Sequence, residues 1–168
     1  MIIPPEVLSG GALLRLVSID DAEVLNSAHM ANREYLASWE PRRSDSFFTV
    51  EAQAERIAEQ LKQFGERRAV PWVFESDGGV IGTITLSGMT FSPFCSAYLG
   101  YWVAADRQNQ GLASAGVASV CRTAREVIGL HRIEATTLLD NDPSQRVLEK
   151  SGFEPIGMAS RYLHINGE

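Results

Sequence analysis

Cysteine is nearly absent from this chain. Two residues, Cys95 and Cys121, among 168 are too few for a disulfide framework or a zinc site, and no metal is expected. Cys121 falls on the apolar face of a predicted helix, where a thiol packs as a small hydrophobe. Long apolar runs are also missing. None approaches the roughly 20 residues that cross a bilayer, so no membrane partner is expected. The opening Met1-Ile2-Ile3-Pro4-Pro5-Glu6 has neither a basic leader nor a hydrophobic signal core, which makes the cytoplasm the expected compartment. Basic residues are outnumbered, 15 Lys and Arg against 21 Asp and Glu for a net charge of −6. That balance argues against nucleic-acid binding, which needs a basic face, and is compatible with a cationic substrate such as an amine. Repeats, linkers and low-complexity segments are lacking too. What remains, 168 residues with 45% hydrophobic content, is expected to form one domain spanning 1–168 with a sizeable core.

The most informative stretch runs from Tyr98 to Ala124. Tyr98-Leu99-Gly100-Tyr101-Trp102-Val103 is aromatic and β-branched and reads as a buried strand. From about Gly111 the apolar residues take helical spacing, at Ala113, Val117, Val120, Cys121, Ala124, Val127 and Ile128. Between strand and helix lies Arg107-Gln108-Asn109-Gln110-Gly111-Leu112-Ala113. The first N–H groups of a helix have no partner within it and carry partial positive charge. A glycine there lets a ligand approach the backbone, so the turn is a ready anion site. Arg107 adds a full charge at its mouth. No Gly-Lys-Ser/Thr follows, which excludes a Walker loop, and the three spaced glycines of a dinucleotide fingerprint are absent.

Around this unit, Ala12–Val17 reads as a first strand. Ser18-Ile19-Asp20-Asp21 starts a helix expected to reach Asn32, with Ala22, Leu25, Ala28 and His29 near one face. His29 reads as a partly buried helix residue rather than a catalyst. A short helical piece covers Arg33–Ser38, and Trp39-Glu40-Pro41-Arg42-Arg43 breaks it. Trp39 beside Glu40 is either a binding feature or a loop anchor. The next helix opens at Thr49-Val50 and stops at Gly65. Its apolar stripe is Ala54, Ile57, Ala58, Leu61 and Phe64, and its solvated face is Glu51, Glu55, Arg56, Glu59 and Lys62. Val70–Glu75 and Val80–Leu86 flank the hairpin signal Asp77-Gly78-Gly79. Arg132–Leu139 is a further strand, a helix begins near Pro143 and ends at Gly152, and Phe153–Ile165 is a final extended segment. This order implies an α+β fold whose mixed, mostly antiparallel twisted sheet is covered by helices on both faces.

Gln108-x-x-Gly111-x-Ala113 resembles the pyrophosphate-binding signature of the GNAT superfamily of acyl-CoA N-acyltransferases. Downstream, Asn141-Asp-Pro-Ser144-Gln-Arg-Val147-Leu148-Glu149-Lys150-Ser-Gly152-Phe153 is similar to a second GNAT signature, in the right order and at the right distance. The resemblance covers nearly the whole chain. It is nearest to the ribosomal-protein-alanine N-acetyltransferase (RimJ/RimL) type, on Trp39-Glu40-Pro41, the Tyr98–Trp102 strand, His131-Arg132-Ile133, and Gly157 through Tyr162-Leu163. It implies that the fourth strand, Tyr98–Val103, and the fifth, Arg132–Leu139, splay apart around the pantetheine arm of acetyl-CoA, with Gly100 and the Leu99–Val103 backbone as the exposed edge. The implied cofactor contacts are Tyr101, Trp102, Val103, Arg107, Gln108, Asn109, Gln110, Gly111, Leu112, Ala113, Asn141 and Ser144. Small residues at Ala113, Ser114, Ala115 and Gly116 serve close approach to the cofactor, tight helix–sheet packing, or both.

The implied reaction is direct attack of a primary amine on the thioester in a ternary complex, accelerated chiefly by positioning. A backbone N–H of the fourth strand holds the oxyanion. Ser144 lies where the family places the group that donates to the departing thiolate; its alternative is a local backbone bond at a helix start. Asn141 bonds pantetheine or a water, or is simply a turn residue. For the general base, Glu40 comes first and Glu134 second, and the position aligned with an acid of some relatives is Leu163. An α-amine of pKa about 8 needs less help than a lysine at about 10.4, which favours a protein N-terminus as acceptor. Acidic overall charge, Trp39 and Glu40 point to a cationic acceptor. A small-molecule amine or antibiotic acetyltransferase and a non-catalytic acyl-CoA sensor are the alternatives. Asn166-Gly167 is a hairpin signal, yet the sequence stops at Glu168, so the family's final strand is apparently missing. Truncation, or a strand supplied by a neighbouring chain as in a homodimer, would account for it.

Overall fold

Neighbouring residues on the central strands belong to different cores. Trp72 and Phe74 pack with Leu14, Val117, Val120 and Leu148, whereas Val73 packs with Leu25, Ile57 and Trp102. In a strand, successive side chains leave on opposite faces, so the sheet is covered on both sides. The computed structural model describes residues 1–160 and Tyr162. Six strands are hydrogen-bonded in chain order: β1 (Glu6–Val7), β2 (Leu13–Leu16), β3 (Val70–Ser76), β4 (Gly79–Thr90), β5 (Ser96–Val103) and β6 (Arg132–Glu134). All neighbours are antiparallel except β5 and β6, which are parallel. This is the mixed, mostly antiparallel α+β architecture expected from the sequence.

One face carries α1 (Ala22–Ala31), the short α2 (Arg33–Leu36) and α3 (Val50–Gly65); α1 lies against β4 and α3 against β3. The other face carries α4 (Leu112–Thr123) and α5 (Asp142–Lys150). Ser18 and Asp21 form a capping box ahead of α1, and Asp21 also pairs with Arg15, Nη2 to Oδ1 at 2.7 Å. Thr49 caps α3, its hydroxyl accepting from the Ala52 N–H at 3.1 Å. Asp77 (φ 53°) and Gly78 (φ 76°) make the predicted β3–β4 hairpin, both in the left-handed conformation that a type I′ turn requires. The helical glycine, Gly116, is explained by packing. A Cβ there would lie 2.4 Å from Cε1 and Cζ of Phe74, so α4 can sit this close to the sheet only without a side chain at that point.

Several expectations need correction. β1 was not anticipated: two residues show no alternation. The strand expected over 132–139 stops at Glu134, because β propensity reflects fit to a paired surface and the chain leaves β5 there. Phe153–Ser160 and Tyr162 form no strand, and the other residues of that segment, with Leu163 and Asn166-Gly167, lie outside the described residues. α3 does end at Gly65, but not through a left-handed glycine: Glu66 is the cap and Arg67 takes the positive φ, 58°. Val127 is exposed, because Ala124–Ile128 is a π turn whose wider spacing takes it off the buried face while Ile128 stays on it. On α3, Ala58 is exposed, Gln53 is fully buried and Arg56 is half-buried rather than solvated. Among the described residues no helix is long and apolar enough to cross a membrane.

Candidate active site

The site is assembled around β5. Its partner β6 stays with it for three residues only, Ser96–Tyr98 opposite Arg132–Glu134. Beyond that point the two diverge, and the Leu99–Val103 backbone has no strand on that side among the described residues. β5 then feeds a 3-10 turn, Ala105–Arg107, and the start of α4. Asn109 (φ 58°) and Gly111 (φ 77°) are both left-handed. Gly111 is the N-cap of α4 and offers no capping side chain, which leaves the first helical N–H groups open towards an anion. Asn32, buried at the end of α1, fixes this turn. Its Oδ1 accepts from the Ala105 N–H at 2.8 Å while its Nδ2 donates to the Ala28 carbonyl at 2.9 Å. Sequence reading missed Asn32, because a residue at a helix end gives no sign of a partner 73 positions away.

The predicted contacts fall along this path with different roles open to them. Trp102, Val103 and Leu112 bury their side chains in the cores, so along the path from the β5 edge to α4 they offer their backbone. Asn109, Gln110 and Gly111 are exposed, and Gln108 and Ala113 half-buried. The Gln110 Nε2 donates to the Asp106 carbonyl at a long 3.4 Å, and Gln108 reaches the Tyr35 hydroxyl of α2. Arg107 sits at the mouth as expected, but its charge is shared, with Nη2 3.3 Å from Asp77 Oδ2.

At the far side of the divergence, α5 presents its N-terminus to β5. The Tyr101 hydroxyl lies 2.8 Å from Ser144 Oγ and also donates to the Ser144 carbonyl at 3.3 Å. Asn141 is the N-cap of α5, its Oδ1 accepting from the Ser144 N–H at 3.1 Å. That is the local role for Asn141, and it orients Ser144 at the same time. Burial pushes the Tyr101 phenol above its ordinary value, with the Ser144 bond opposing; the group is therefore a neutral hydroxyl, able to pass a proton.

On the opposite face of β5 a cleft of about 190 Å³ runs from Gly100, Tyr101 and Trp102 to the loop after α2, with Glu40, Arg43 and Phe47, and to α3 with Arg56. Gly100 faces open space: a Cβ there would meet nothing within 4 Å. Glu40 lines this cleft, as required of a candidate base, and its Oε2 is 3.7 Å from Arg43 Nη2. Trp39 is half-buried but does not line it. Glu134 is paired instead with Arg132, Nε to Oε1 at 2.8 Å, away from the cleft lining. His29 closes the floor. It is 5% exposed, its ring centroid 5.0 Å from Trp102 and 5.1 Å from Phe47. Burial, and then the charges of Arg56 and Arg43, lower its pKa from 6.5 to about 4, so it is a neutral wall at working pH. The two arginines were not singled out from the sequence, where Arg56 has the spacing of a solvated position.

Residues 12–154 match the Acetyltransferase (GNAT) domain family. The chain is 31% identical over 156 residues to the Bacillus subtilis (strain 168) protein named Probable N-acetyltransferase YjcK, covering 92% of this chain and 86% of that one. It is 29% identical over 159 residues to the [Ribosomal protein uS5]-alanine N-acetyltransferase of Escherichia coli (strain K12), with coverage of 93% and 81%. The solved structure of Mycobacterium smegmatis RimJ in complex with CoA-disulfide superimposes with a TM-score of 0.90 at 32% identity, over 98% of this chain and 80% of that one.

Proposed function

The chain belongs to the GNAT acetyltransferase family and is an N-acetyltransferase, and on that premise we propose that it acetylates the N-terminal residue of a protein, a ribosomal protein first among candidates, with acetyl-CoA as co-substrate. The observation that carries this reading is the Leu99–Val103 edge of β5, which no strand covers among the described residues. It has an open helix N-terminus at one end, the Ser144–Tyr101 pair on one face and the Glu40 cleft on the other. The match to a CoA-bound structure and the ribosomal-protein name of one relative support it.

The pyrophosphate lies on the N–H groups that follow Gly111, with Arg107 beside it, and the amide-rich pantetheine arm pairs with the β5 edge as a peptide strand would. The acceptor amine enters through the cleft and reaches the thioester at Gly100–Trp102. Its nitrogen attacks the carbonyl carbon, and the oxyanion is held by a β5 backbone N–H. The tetrahedral intermediate collapses by breaking the C–S bond. The amine proton leaves to Glu40, directly or through a water. Ser144 donates its proton to the departing thiolate and regains one from the Tyr101 hydroxyl; Tyr101 is then reprotonated from solvent while Glu40 releases the amine proton to solvent, so each group returns to its starting state. Since a thiol has a pKa near 8.5, that donation is a modest aid, and positioning of the two reactants supplies the larger part of the acceleration.

CoA release measured against a panel of N-terminal peptides of ribosomal proteins, polyamines and aminoglycosides tests the acceptor class. Turnover on one or more of the peptides and none on the small amines is expected. Turnover on small amines alone would assign a small-molecule enzyme. Tight acetyl-CoA binding with no turnover on any acceptor would assign a sensor.

A further inference from the structure

Two of the half-buried arginines, Arg15 and Arg56, are handled in opposite ways. Arg15 is flanked by carboxylates, Asp21 and Glu75, which is how a structural guanidinium is normally compensated. Arg56 is half-buried on α3 and, among the described residues, has no carboxylate at ion-pair distance. Its Nη1 donates to Gln53 Oε1 at 2.9 Å, and its guanidinium carbon lies 4.6 Å from the Phe47 ring centroid. Gln53 is itself fully buried, with its Nε2 donating to the Phe47 carbonyl at 2.6 Å. The Arg56 head is thus held in a set direction before any ligand arrives. Arg43 rests on the same Phe47 ring at 5.1 Å. Burial and the neighbouring charge of Arg43 both work against the Arg56 cation, and Glu40 only partly offsets them.

Glu40 pairs with Arg43 at 3.7 Å. With Arg43, Arg56 and Glu40 facing one cleft beside a neutral His29, the cleft carries one uncompensated positive charge in a protein whose net charge is −6. An amine alone would be repelled by it. The cleft opens directly onto Gly100–Trp102, where that amine must react. A preoriented guanidinium is suited to a planar carboxylate, and a surplus of a single charge matches a monoanion better than a phosphate dianion. Resting on the acetyltransferase reading above, we propose that the acceptor carries a carboxylate close to its reacting amine, bound by Arg56 with Arg43. Such a carboxylate belongs either to an acidic side chain just behind a protein N-terminus or to the α-carboxyl of a free amino acid.

Matched acceptors decide it: peptides with the same first residue followed by Asp or Glu, by Asn or Gln, or by Lys, and a free amino acid beside its amide. The wild-type protein is expected to prefer a carboxylate acceptor at least tenfold in kcat/KM, mostly through KM. Preference for the acidic peptides identifies the side-chain source, and preference for the free amino acid over its amide identifies the α-carboxyl. Arg56→Met should bring the ratio near one, Arg56→Lys should restore part of it, and acetyl-CoA affinity should stay within about twofold in both. Arg43→Gln, in a loop that tolerates truncation better, should reduce the preference independently of α3. Calorimetric binding of the acidic and amide peptides to the CoA-loaded protein gives the same comparison without turnover. Equal handling of acid and amide by the wild type, in rate or binding, would overturn the proposal, as would an unchanged ratio in folded Arg56→Met. Turnover on neutral acceptors with no acid preference would leave the transferase reading intact, whereas loss of all turnover with acid-selective binding retained would count against that reading alone.

Discussion

His29 lines the cleft beside β5, but its surroundings hold it neutral. Protonation would place a charge between Trp102 and Phe47 and within the field of Arg43 and Arg56. Its pKa is about 4 in the folded chain against 6.5 for the exposed group. Below pH 6.5 the unfolded chain binds a proton that the folded chain refuses until about pH 4. Stability therefore falls as pH drops through that window, by about 3 kcal/mol over its full width, and is unaffected above it. Urea midpoints at pH 7, 5.5 and 4.5 should show this loss in the wild type and a flatter profile in His29→Gln, which isolates it from Asp21 and Glu6, whose carboxyl groups are held below their ordinary values. Equal slopes in the two proteins would contradict the assignment. Residues of this kind were partly legible. His29 was placed on the buried face of its helix by spacing, and Gly111 by its place before the helix. Arg56 and Asn32 were not, because what they touch lies in other elements.

At the scale of elements, the approach of α4 to the sheet sets where the turn proposed to hold the pyrophosphate stands. A glycine in a helix costs about 1 kcal/mol relative to alanine, so Gly116→Ala would stabilise an isolated α4. In the folded protein the added Cβ would lie 2.4 Å from the Phe74 ring, and overpacking of this kind costs roughly 1–3 kcal/mol. The clash prevails, and Gly116→Ala should lower the unfolding free energy by about 1–2 kcal/mol. Phe74→Leu in the Gly116→Ala background should be less harmful than in the wild type, as a thermal-melt double-mutant cycle would show. Additive losses would contradict the packing account. Elements with strong local signals were legible: the capped start of α3, the Asp77-Gly78 hairpin and the β5–turn–α4 unit. β1, the π turn after α4 and the early end of β6 depend on pairing and phase across the fold, for which no residue type is diagnostic.

For the whole molecule, function follows from where the sheet opens. β5 pairs with β4 along most of its length but with β6 at three residues only, so among the described residues one strand offers an uncovered edge with different chemistry on each face. Odd-numbered Tyr101 meets Ser144 towards α5, and even-numbered Gly100 and Trp102 border the cleft under α1 and α3. The two GNAT signatures, Gln108–Ala113 and Asn141–Phe153, made the proposed cofactor side of this arrangement legible, because backbone contacts to a fixed cofactor constrain local sequence. The proposed acceptor side is built from Glu40, Arg43, Phe47 and Arg56, dispersed over a loop and a helix whose spacing obeys no motif, and it was legible only in Glu40. The central claim is that Ser144, held by Asn141 and backed by Tyr101, protonates the departing thiolate in an N-acetyl transfer along β5. Its most direct test is steady-state CoA release by Ser144→Ala on the peptide acceptor. The account predicts kcat reduced by about 10- to 100-fold, at or below the usual range for a general acid, with KM for acetyl-CoA within about threefold of wild type; an unchanged kcat would contradict it.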